Sequence, residues 1–271
     1  MVTSAPETCY ILKYFLKNKF PRFYFFVRHC RGYLSIPILA IRRKKRPKFF
    51  SQFIHKGDLC FDIGANIGGI TGIFLELGAM VIAVEPQPIS KKIKEMYGNN
   101  KNLVIINKGV ADRQGYLDLT IAEGCNSIST MSEKWRREGR FSQDYKSLDV
   151  SSISVPVVTL DSLIVEYGTP KFCKIDVEGF EKEVLAGLSK QIPYISFEFM
   201  KEFLSDAKVC ADRLTSLGEV KFNFAVADSM RLFFKNWASS EELFTKLEEI
   251  KNKDLWGDIY ANFLKIDNQN G

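Results

Sequence analysis

A glycine-rich turn near the start of the chain constrains the fold more than any other stretch. The sequence FDIGANIGGITG, Phe61–Gly72, holds four glycines in twelve residues and lies between two apolar runs. Gly64, Gly68 and Gly69 allow a sharp change of direction, because residues without a Cβ atom tolerate positive φ and the close approach of a ligand. A helix that begins near Ile67 would point its unpaired N–H groups at that ligand. The stretch therefore predicts a strand, a tight turn and a helix around a binding site.

The rest of the chain alternates between strand-like and helix-like segments. Such alternation is typical of a doubly wound, mostly parallel α/β sheet with helices on both faces, whose ligand binds at the carboxyl ends of the strands. Asp161 is the expected N-cap of a helix that begins near residue 160. Strands are predicted at 59–63, 80–86, 103–107, 115–123, 194–199, 220–228 and 230–234, helices at 67–78, 88–98, 203–217 and 240–252, and strand–helix pairs within 155–163 and 171–188.

Charge divides the chain into a basic arm and a mildly acidic body. The 271 residues carry a net charge of +6, but residues 1–56 hold thirteen Lys or Arg and one acid, Glu7, so their net charge is +12 and the remainder carries −6. We predict a basic, aromatic, helical arm over residues 1–55 and a folded domain over residues 56–271. The six cysteines lack the spacing of a metal site, which indicates a reduced, cytoplasmic protein.

The turn departs from the fingerprint of a dinucleotide site. That fingerprint is G-x-G-x-x-G, with its second glycine against the pyrophosphate, whereas here Asn66 stands two residues after Gly64. Asp62, just before the turn, would repel a pyrophosphate and attract an ammonium or sulfonium group. Glu85 follows Gly64 by 21 residues and suits hydrogen bonds from a ribose diol. Together these residues predict a nucleoside with a compact cationic tail, a description that S-adenosylmethionine fits.

The same residues are compatible with alternatives to a methyl donor. A solvent-facing Asp, a capping glycine turn and a Glu at a strand end are each common structural features, and only their order and spacing favour a cofactor site. A nicotinamide-dependent oxidoreductase on a similar sheet is one alternative, and Asn66 and Asp62 count against it. A non-catalytic binding module on the same fold is another, and the intact glycine turn with Glu85 counts against that.

Four motifs together resemble the FkbM family of S-adenosylmethionine-dependent methyltransferases, over about Leu59–Phe199. They are FDIGANIGGIT, VEPQP, VPVVTLDSL and FCKIDVEGFEKEVLAGL. The resemblance implies a class I methyltransferase fold, which is Rossmann-like, and O-methylation of a hydroxyl group on a glycan, glycolipid or natural product. It assigns the glycine turn to the amino-acid end of the cofactor, Glu85 to the ribose, and Ala111 and Asp112 to the adenine side. The predicted cofactor-binding set is Asp62, Gly64, Ala65, Asn66, Gly68, Glu85, Pro86, Ala111 and Asp112.

Three acids at the ends of later strands are candidates for the chemistry. Asp176 ends the run CKID, Glu178 follows two residues later, and Glu198 lies in YISFEF. Methyl transfer to an alcohol needs a base or a metal ion to help remove the hydroxyl proton. We favour Asp176 or Glu178 as the base; in the alternative, Asp176 and Glu198 hold Mg²⁺, an arrangement that resembles catechol O-methyltransferase. Two purely structural roles compete with these, since Glu178 can stabilise a helix dipole and Glu198 can pair with a buried cation.

Two further segments carry hypotheses about partners. Residues 124–150 form a polar stretch too long for an idle connection, and we predict that it is a lid or a wall of the substrate site. The arm, residues 1–50, fits peripheral binding to an anionic membrane, and equally fits packing of its aromatic residues on the body. Nucleic acid is a less favoured partner, because the chain contains no recognisable nucleic-acid-binding module.

Overall fold

A computed structural model describes residues 45–122 and 128–264 of the chain. The predicted arm as far as residue 44, and residues 123–127 of the predicted lid, lie outside the described residues. From Arg46 onward the described residues belong to one compact unit.

A seven-stranded sheet forms the centre of this unit. Its strands are β1 (Leu59–Ile63), β2 (Met80–Val84), β3 (Leu103–Ile106), β7 (Phe172–Ile175), β8 (Tyr194–Met200), β9 (Val220–Val226) and β10 (Trp256–Phe263). They lie in the order β3-β2-β1-β7-β8-β10-β9. In this sheet β10 runs antiparallel to β8 and β9, and the other neighbouring strands are parallel. The order reverses between β1 and β7, which is where a doubly wound sheet binds its ligand.

A smaller sheet of three strands follows β3 in the chain. Its strands are β4 (Gly109–Val110), β5 (Gly115–Ala122) and β6 (Val150–Val158). The order is β4-β6-β5, and β6 pairs parallel with β4 and antiparallel with β5. Beyond β6 the chain returns to the large sheet at β7.

Helices cover both faces of the large sheet, as predicted. They are α1 (Gly69–Glu76), α2 (Lys91–Tyr97), α3 (Glu133–Glu138), α4 (Ser142–Ser147), α5 (Leu160–Tyr167), α6 (Glu181–Ala186), α7 (Leu204–Leu217) and α8 (Ser240–Glu249), with 3₁₀ turns at Pro88–Ser90 and Lys201–Phe203. Apolar residues of α5 to α8 pack on the face that bears Phe61, Ile175 and Phe197. On the opposite face α1 packs over Cys60 and Phe172. The doubly wound α/β fold is therefore confirmed.

Part of the predicted arm lies in the core of the body. Residues 45–50 are helical, and the ring of Phe50 lies 5.3 Å from that of Phe74 and 5.7 Å from that of Phe172. Phe49 and Phe53 both contact the ring of Tyr260 on β10. Buried aromatic rings contribute strongly to core stability, so the compact body includes residues on the arm side of the predicted boundary.

The predicted strand at 230–234 is wrong. This segment turns back over β9, where the ring of Phe233 stacks on that of Phe224 with 4.4 Å between centroids. The side chain of Asn223 bonds both the N–H and the carbonyl of Phe234. A side chain therefore satisfies backbone groups that a neighbouring strand would otherwise pair.

The strand that pairs with β9 is β10, which the sequence analysis did not predict. Polar Asp258 and Asn262 interrupt its apolar run, so the sequence pattern does not indicate a buried strand. The predicted N-cap of α5 is also wrong. Thr159 is the N-cap and forms a capping box with Ser162, while Asp161 accepts the N–H of Ser189 at 2.8 Å.

Candidate active site

The glycine turn after β1 has the backbone conformation that its sequence predicts. Gly64 has φ +82°, Asn66 has φ +51° and Gly68 has φ +85°. A Cβ atom on Gly64 would lie 1.9 Å from the carbonyl oxygen of Asp176, a distance that no real atom pair adopts. Glycine at this position therefore lets the turn pass directly against the end of β7.

A buried carboxylate at the end of β2 holds this turn in place. Glu85 is 3% exposed, and its two oxygens accept the backbone N–H of Asn66 at 2.8 Å and that of Gln87 at 2.9 Å. Burial raises the pKa of Glu85, and the two N–H donors oppose that rise. Because a carboxylate oxygen has more than one lone pair, Glu85 can still accept hydrogen bonds from a ligand.

A cavity of about 240 Å³ opens beside this turn, at the carboxyl ends of β1, β2 and β7. Six residues predicted for cofactor or catalysis line it: Gly64, Asn66, Glu85, Pro86, Asp176 and Glu178. Ser129, Thr130 and Met131 line it as well, and these belong to the segment predicted as a lid or wall. The structure thus brings four of the nine predicted cofactor residues and two of the three candidate acids to one cavity.

Five predicted cofactor residues are not among those that line this cavity. Asp62 is 1% exposed and accepts the hydroxyl of Thr71 at 2.6 Å, so it ties β1 to α1. Burial raises the pKa of Asp62 to about 6, although the bond from Thr71 and the charge of Lys174 act in the opposite direction. Gly68 caps α1 in a left-handed conformation, and Ala65 packs against Ala83 and Ile93.

The predicted adenine-side residues lie just beyond the cavity. Ala111 is buried and donates its N–H to the carbonyl of Val158, while Asp112 points outward and pairs with Arg113. The residues that line the cavity here are Lys108, Gly109 and Val110, which precede the predicted pair directly. Sequence reasoning located β3 to within one residue but did not predict the short strand β4, which carries Gly109 and Val110 to the cavity.

The three candidate acids form one cluster. Carboxylate oxygens of Asp176, Glu178 and Glu198 all lie within 4.8 Å of one another. Loss of hydration raises the pKa of Glu178 well above its usual range, and the charges of Asp176 and Glu181 add to the rise. Burial, and then the charges of Glu178, Asp176 and Glu181, raise the pKa of Glu198 well above its usual range as well. Glu178 and Glu198 therefore hold their protons more tightly than free carboxyl groups do, as expected for buried carboxylates close together.

A buried lysine beneath the cluster was not predicted. Lys174 lies on β7 with 3% of its side chain exposed. Its Nζ donates to Asp176 at 3.2 Å and to Asp258 at 2.9 Å. Burial acts to lower the pKa of Lys174, but the two carboxylates outweigh it and hold the pKa well above its ordinary value. The one sequence signal was a Lys in an otherwise apolar strand.

The predicted wall segment, within residues 124–150, is hydrogen-bonded to the turn that bears Glu178. The hydroxyl of Thr130 donates to the carbonyl of Glu178 at 2.7 Å. Trp135 is buried against Gly179, where a Cβ atom would lie 2.3 Å from the indole ring. The indole is therefore a packing residue rather than an exposed sugar-binding platform. Glu198 borders a second, smaller cavity next to it, of about 30 Å³.

Comparison with known proteins assigns the chain to a family. The family model described as the methyltransferase FkbM domain matches residues 62–237, which include the turn, Glu85 and the acidic cluster. The match ends before β10 and therefore does not include Asp258. No curated protein matches the chain significantly in sequence.

Several solved structures are similar to the chain at low identity. A precorrin-6y C5,15-methyltransferase from Geobacter metallireducens has 10% identity, covering 80% of this chain and 87% of that one, with a TM-score of 0.43. A TehB-like SAM-dependent methyltransferase from Corynebacterium glutamicum has 9% identity, with coverage of 80% and 87% and a TM-score of 0.41. An rRNA methylase from Streptococcus thermophilus has 11% identity, with coverage of 86% and 99% and a TM-score of 0.39. Identities this low bear on neither substrate nor reaction.

Proposed function

Because the chain belongs to the FkbM family of S-adenosylmethionine-dependent methyltransferases, we propose that it methylates a hydroxyl group of a glycan, glycolipid or natural product. The observation that carries the proposal is that one cavity is lined both by the turn with Glu85 and by Asp176 and Glu178. A cofactor site and a group able to accept a proton are thereby adjacent. Such proximity is a main source of catalytic rate.

The residues around the turn fit the cofactor. Glu85 offers a buried carboxylate to a ribose diol, and the N–H groups at the start of α1 and the side chain of Asn66 offer polar contacts near the amino-acid end. Asp62 lies one layer behind and contributes negative charge rather than a direct contact. The bound cofactor supplies an electrophilic methyl group next to a positive sulfur, which the surplus of carboxylates in this cavity favours electrostatically.

Asp176 is the proposed proton acceptor. Its side chain is 41% exposed and lines the cavity, so an acceptor hydroxyl can reach it. Glu178 lines the cavity, and burial raises its pKa and so favours its protonated form, which can donate a hydrogen bond to the acceptor oxygen. Glu198, whose pKa is raised in the same direction, lies within 4.8 Å of Glu178 in the cluster. This division between a proton acceptor and a hydrogen-bond donor follows a common pattern in acid–base catalysis.

A magnesium site is the second candidate for the same cluster. Carboxylate oxygens are suitable ligands for Mg²⁺, and Asp176, Glu178 and Glu198 offer one each within 4.8 Å. The bond from Lys174 to Asp176 favours the general-base mechanism, because the ammonium competes with a cation. Addition of EDTA followed by Mg²⁺ distinguishes the two mechanisms; loss and recovery of methyl transfer would establish metal dependence.

Two experiments test the proposed function. Calorimetry with S-adenosylhomocysteine and with NAD should show binding of the first compound and none of the second. Transfer of a labelled methyl group into an extract of the producing cells should then give a product whose label resists mild alkali, as an ether does and an ester does not. The variant D176N should bind S-adenosylhomocysteine like the wild type yet lose transfer. Binding of NAD alone would contradict the proposal.

Membrane association is proposed for the basic arm. Residues 1–44 lie outside the described residues, and the proposal rests on their charge and aromatic content. No helix within residues 45–122 and 128–264 has both the length and the apolar character needed to cross a membrane. A cytoplasmic enzyme held at the surface of an anionic bilayer would meet lipid-linked glycans there. Co-sedimentation with anionic vesicles at low salt, lost at high salt, would support it; no binding at low salt would contradict it.

A further inference from the structure

A row of polar side chains crosses one face of the central sheet. In the strand register Lys174 lies opposite Asp62 on β1 and opposite Ser196 on β8, and Ser196 lies opposite Tyr260 on β10. Neighbours in register project from the same face of a sheet. Polar groups in the middle of a sheet are costly unless they are paired, so their alignment calls for a physical reason.

A second row lies one step closer to the carboxyl ends of the strands. Glu198 and Asp258 are directly opposite each other in the register of β8 and β10. Asp176 follows Lys174 by two residues and so projects on the same side. The second row therefore brings three carboxylates together near the carboxyl end of β7, of which Asp176 lines the cavity, and the first row places an ammonium group beneath them.

Three contacts fix the position of that ammonium group. Lys174 Nζ lies 2.9 Å from Asp258 Oδ1, 3.2 Å from Asp176 Oδ2 and 3.3 Å from the carbonyl oxygen of Ile175. A protonated lysine has three N–H donors, so each has an acceptor. Asp258, 19% exposed, lies deeper than Asp176, 41% exposed. The ammonium group therefore bonds the more buried Asp258 on one side and the more exposed Asp176 on the side of the cavity.

We propose that Lys174 and Asp258 act as a positioning pair for Asp176: Asp258 anchors the ammonium group of Lys174, and that ammonium group directs the carboxylate of Asp176 into the cavity. The inference rests on the proposed function, which makes Asp176 the proton acceptor. Neither member of the pair lines the cavity, so neither is a catalytic residue. Asp258 comes from β10, outside the residues matched by the family model, and it is thus a contribution of the C-terminal segment to the site.

The charges around Lys174 determine the sign of the expected effects. An ammonium group next to a carboxylate favours its ionised form, whereas a second carboxylate disfavours it. Removal of Lys174 should therefore shift ionisation of the cluster to higher pH, and neutralisation of Asp258 should shift it to lower pH. The titratable or charged groups facing Lys174 or its partners are Asp62, Asp176, Glu178, Glu181, Glu198, Asp228 with Arg46, Asp258 and Tyr260.

A binding measurement can follow this ionisation without knowledge of the acceptor. S-adenosylmethionine carries a positive sulfonium and S-adenosylhomocysteine does not, so the ratio of their affinities reports negative charge in the cavity. We expect this ratio to rise about tenfold between pH 5 and pH 8.5 in the wild type, on the order expected for one unit charge nearby. The midpoint of the rise should move up by about one pH unit or more in K174M, and down in D258N.

Control variants separate positioning from a purely structural role. K174R keeps the charge and should keep the wild-type midpoint. The double variant K174M/D258N removes the ammonium group and its partner carboxylate together, so it leaves no unpaired buried charge and serves as the substitute if K174M alone fails to fold. Its midpoint should return toward the wild-type value. K208M breaks the exposed pair of Lys208 and Asp212 and should have no effect.

The outcomes distinguish the inference from the proposed function. A wild type that binds neither compound would overturn both. A wild type that binds both, with folded K174M and D258N at the wild-type midpoint, would overturn the inference alone and leave a structural ion pair. If neither K174M nor D258N folds, the double variant decides. The inference then fails if the midpoint of the double variant differs from the wild-type midpoint by more than the midpoint of K174R does.

Discussion

The carboxylate of Glu85 accepts the backbone N–H of Asn66 at 2.8 Å, so the end of β2 holds the turn that follows β1. Nineteen residues separate the two in the chain, yet both line the same cavity. The contact gives Glu85 two roles, because the same carboxylate that stabilises the turn faces the proposed ribose site.

Replacement of Glu85 should therefore affect binding and stability together. In E85A, two buried N–H groups lose their acceptor, which costs about 1–3 kcal/mol of folding free energy. Affinity for S-adenosylhomocysteine should fall about 100-fold, corresponding to nearly 3 kcal/mol. E85Q, which keeps one acceptor oxygen, should be intermediate. Calorimetry and urea unfolding measure the two effects, and E95A, at an exposed position on α2, serves as the control. Unchanged affinity in folded E85A would contradict the assignment.

Gly57 and Gly64 have similar positive φ angles but different surroundings, so substitutions there distinguish the cost of the backbone conformation from the cost of a steric clash. Gly57 has φ +89° and open space where a Cβ atom would stand, whereas at Gly64, with φ +82°, a Cβ would lie 1.9 Å from a backbone oxygen. G57A should cost about 1–2 kcal/mol, as expected for left-handed φ in a residue with a Cβ atom. G64A should cost clearly more, above about 3 kcal/mol, because a backbone atom must move. Urea denaturation of both variants checks this, and equal losses would show that the turn relaxes freely.

Glu181 should make the protein less stable as the pH rises from about 4.5 to 7. Burial raises the pKa of Glu181 to about 7 from an ordinary 4.5, although its bonds from the N–H groups of Val177 and Gly179 act in the opposite direction. The folded state then binds more protons than the unfolded state in this interval, so the free energy of unfolding falls with increasing pH.

The variant E181Q tests this sign. Glutamine keeps an acceptor for the two N–H groups and cannot ionise, so the decline over this interval should become shallower by on the order of 1–3 kcal/mol. Glu178 and Glu198, with pKa values raised in the same direction, should maintain part of the slope. Urea unfolding at several pH values gives the comparison. A decline as steep as in the wild type would show that Glu181 is ionised in the folded protein at pH 5.

The wall segment should depend on its contacts with the turn at Glu178. T130V removes the hydrogen bond to the carbonyl of Glu178 and the acceptor of the Ser132 N–H, and should cost about 1–2 kcal/mol. W135A empties the space against Gly179 and should cost about 3–5 kcal/mol. Hydrogen exchange should show faster opening of residues 128–147 in both variants.

The control for this prediction is T245V, at an exposed position on α8. It should leave exchange in the segment unchanged. Exchange equal to the wild type in T130V would mean that the hydroxyl bond contributes nothing to closure of the wall, and equal exchange in W135A would remove the packing argument as well.

Local sequence determined much of this protein. The strands β1, β2, β7 and β8 are short apolar runs, which form strands wherever both faces of a sheet are covered. The glycine turn could be predicted as well, because only certain residues adopt its backbone angles. Asp176 and Glu178 follow from the same reasoning, since the carboxyl ends of parallel strands meet at one edge.

Tertiary structure alone decided which side chains meet. Lys174 and Asp258 are 84 residues apart, and Trp135 packs on Gly179, which is also distant in the chain. β10 was not predicted because an Asp in the sequence is typical of an exposed position, and only the structure shows that Asp258 pairs with the buried Lys174. Periodicity along a chain reports which residues share a face of one element, since it arises from local backbone geometry. The pairing of one element with another depends on packing and charge between distant segments, and no local pattern contains it.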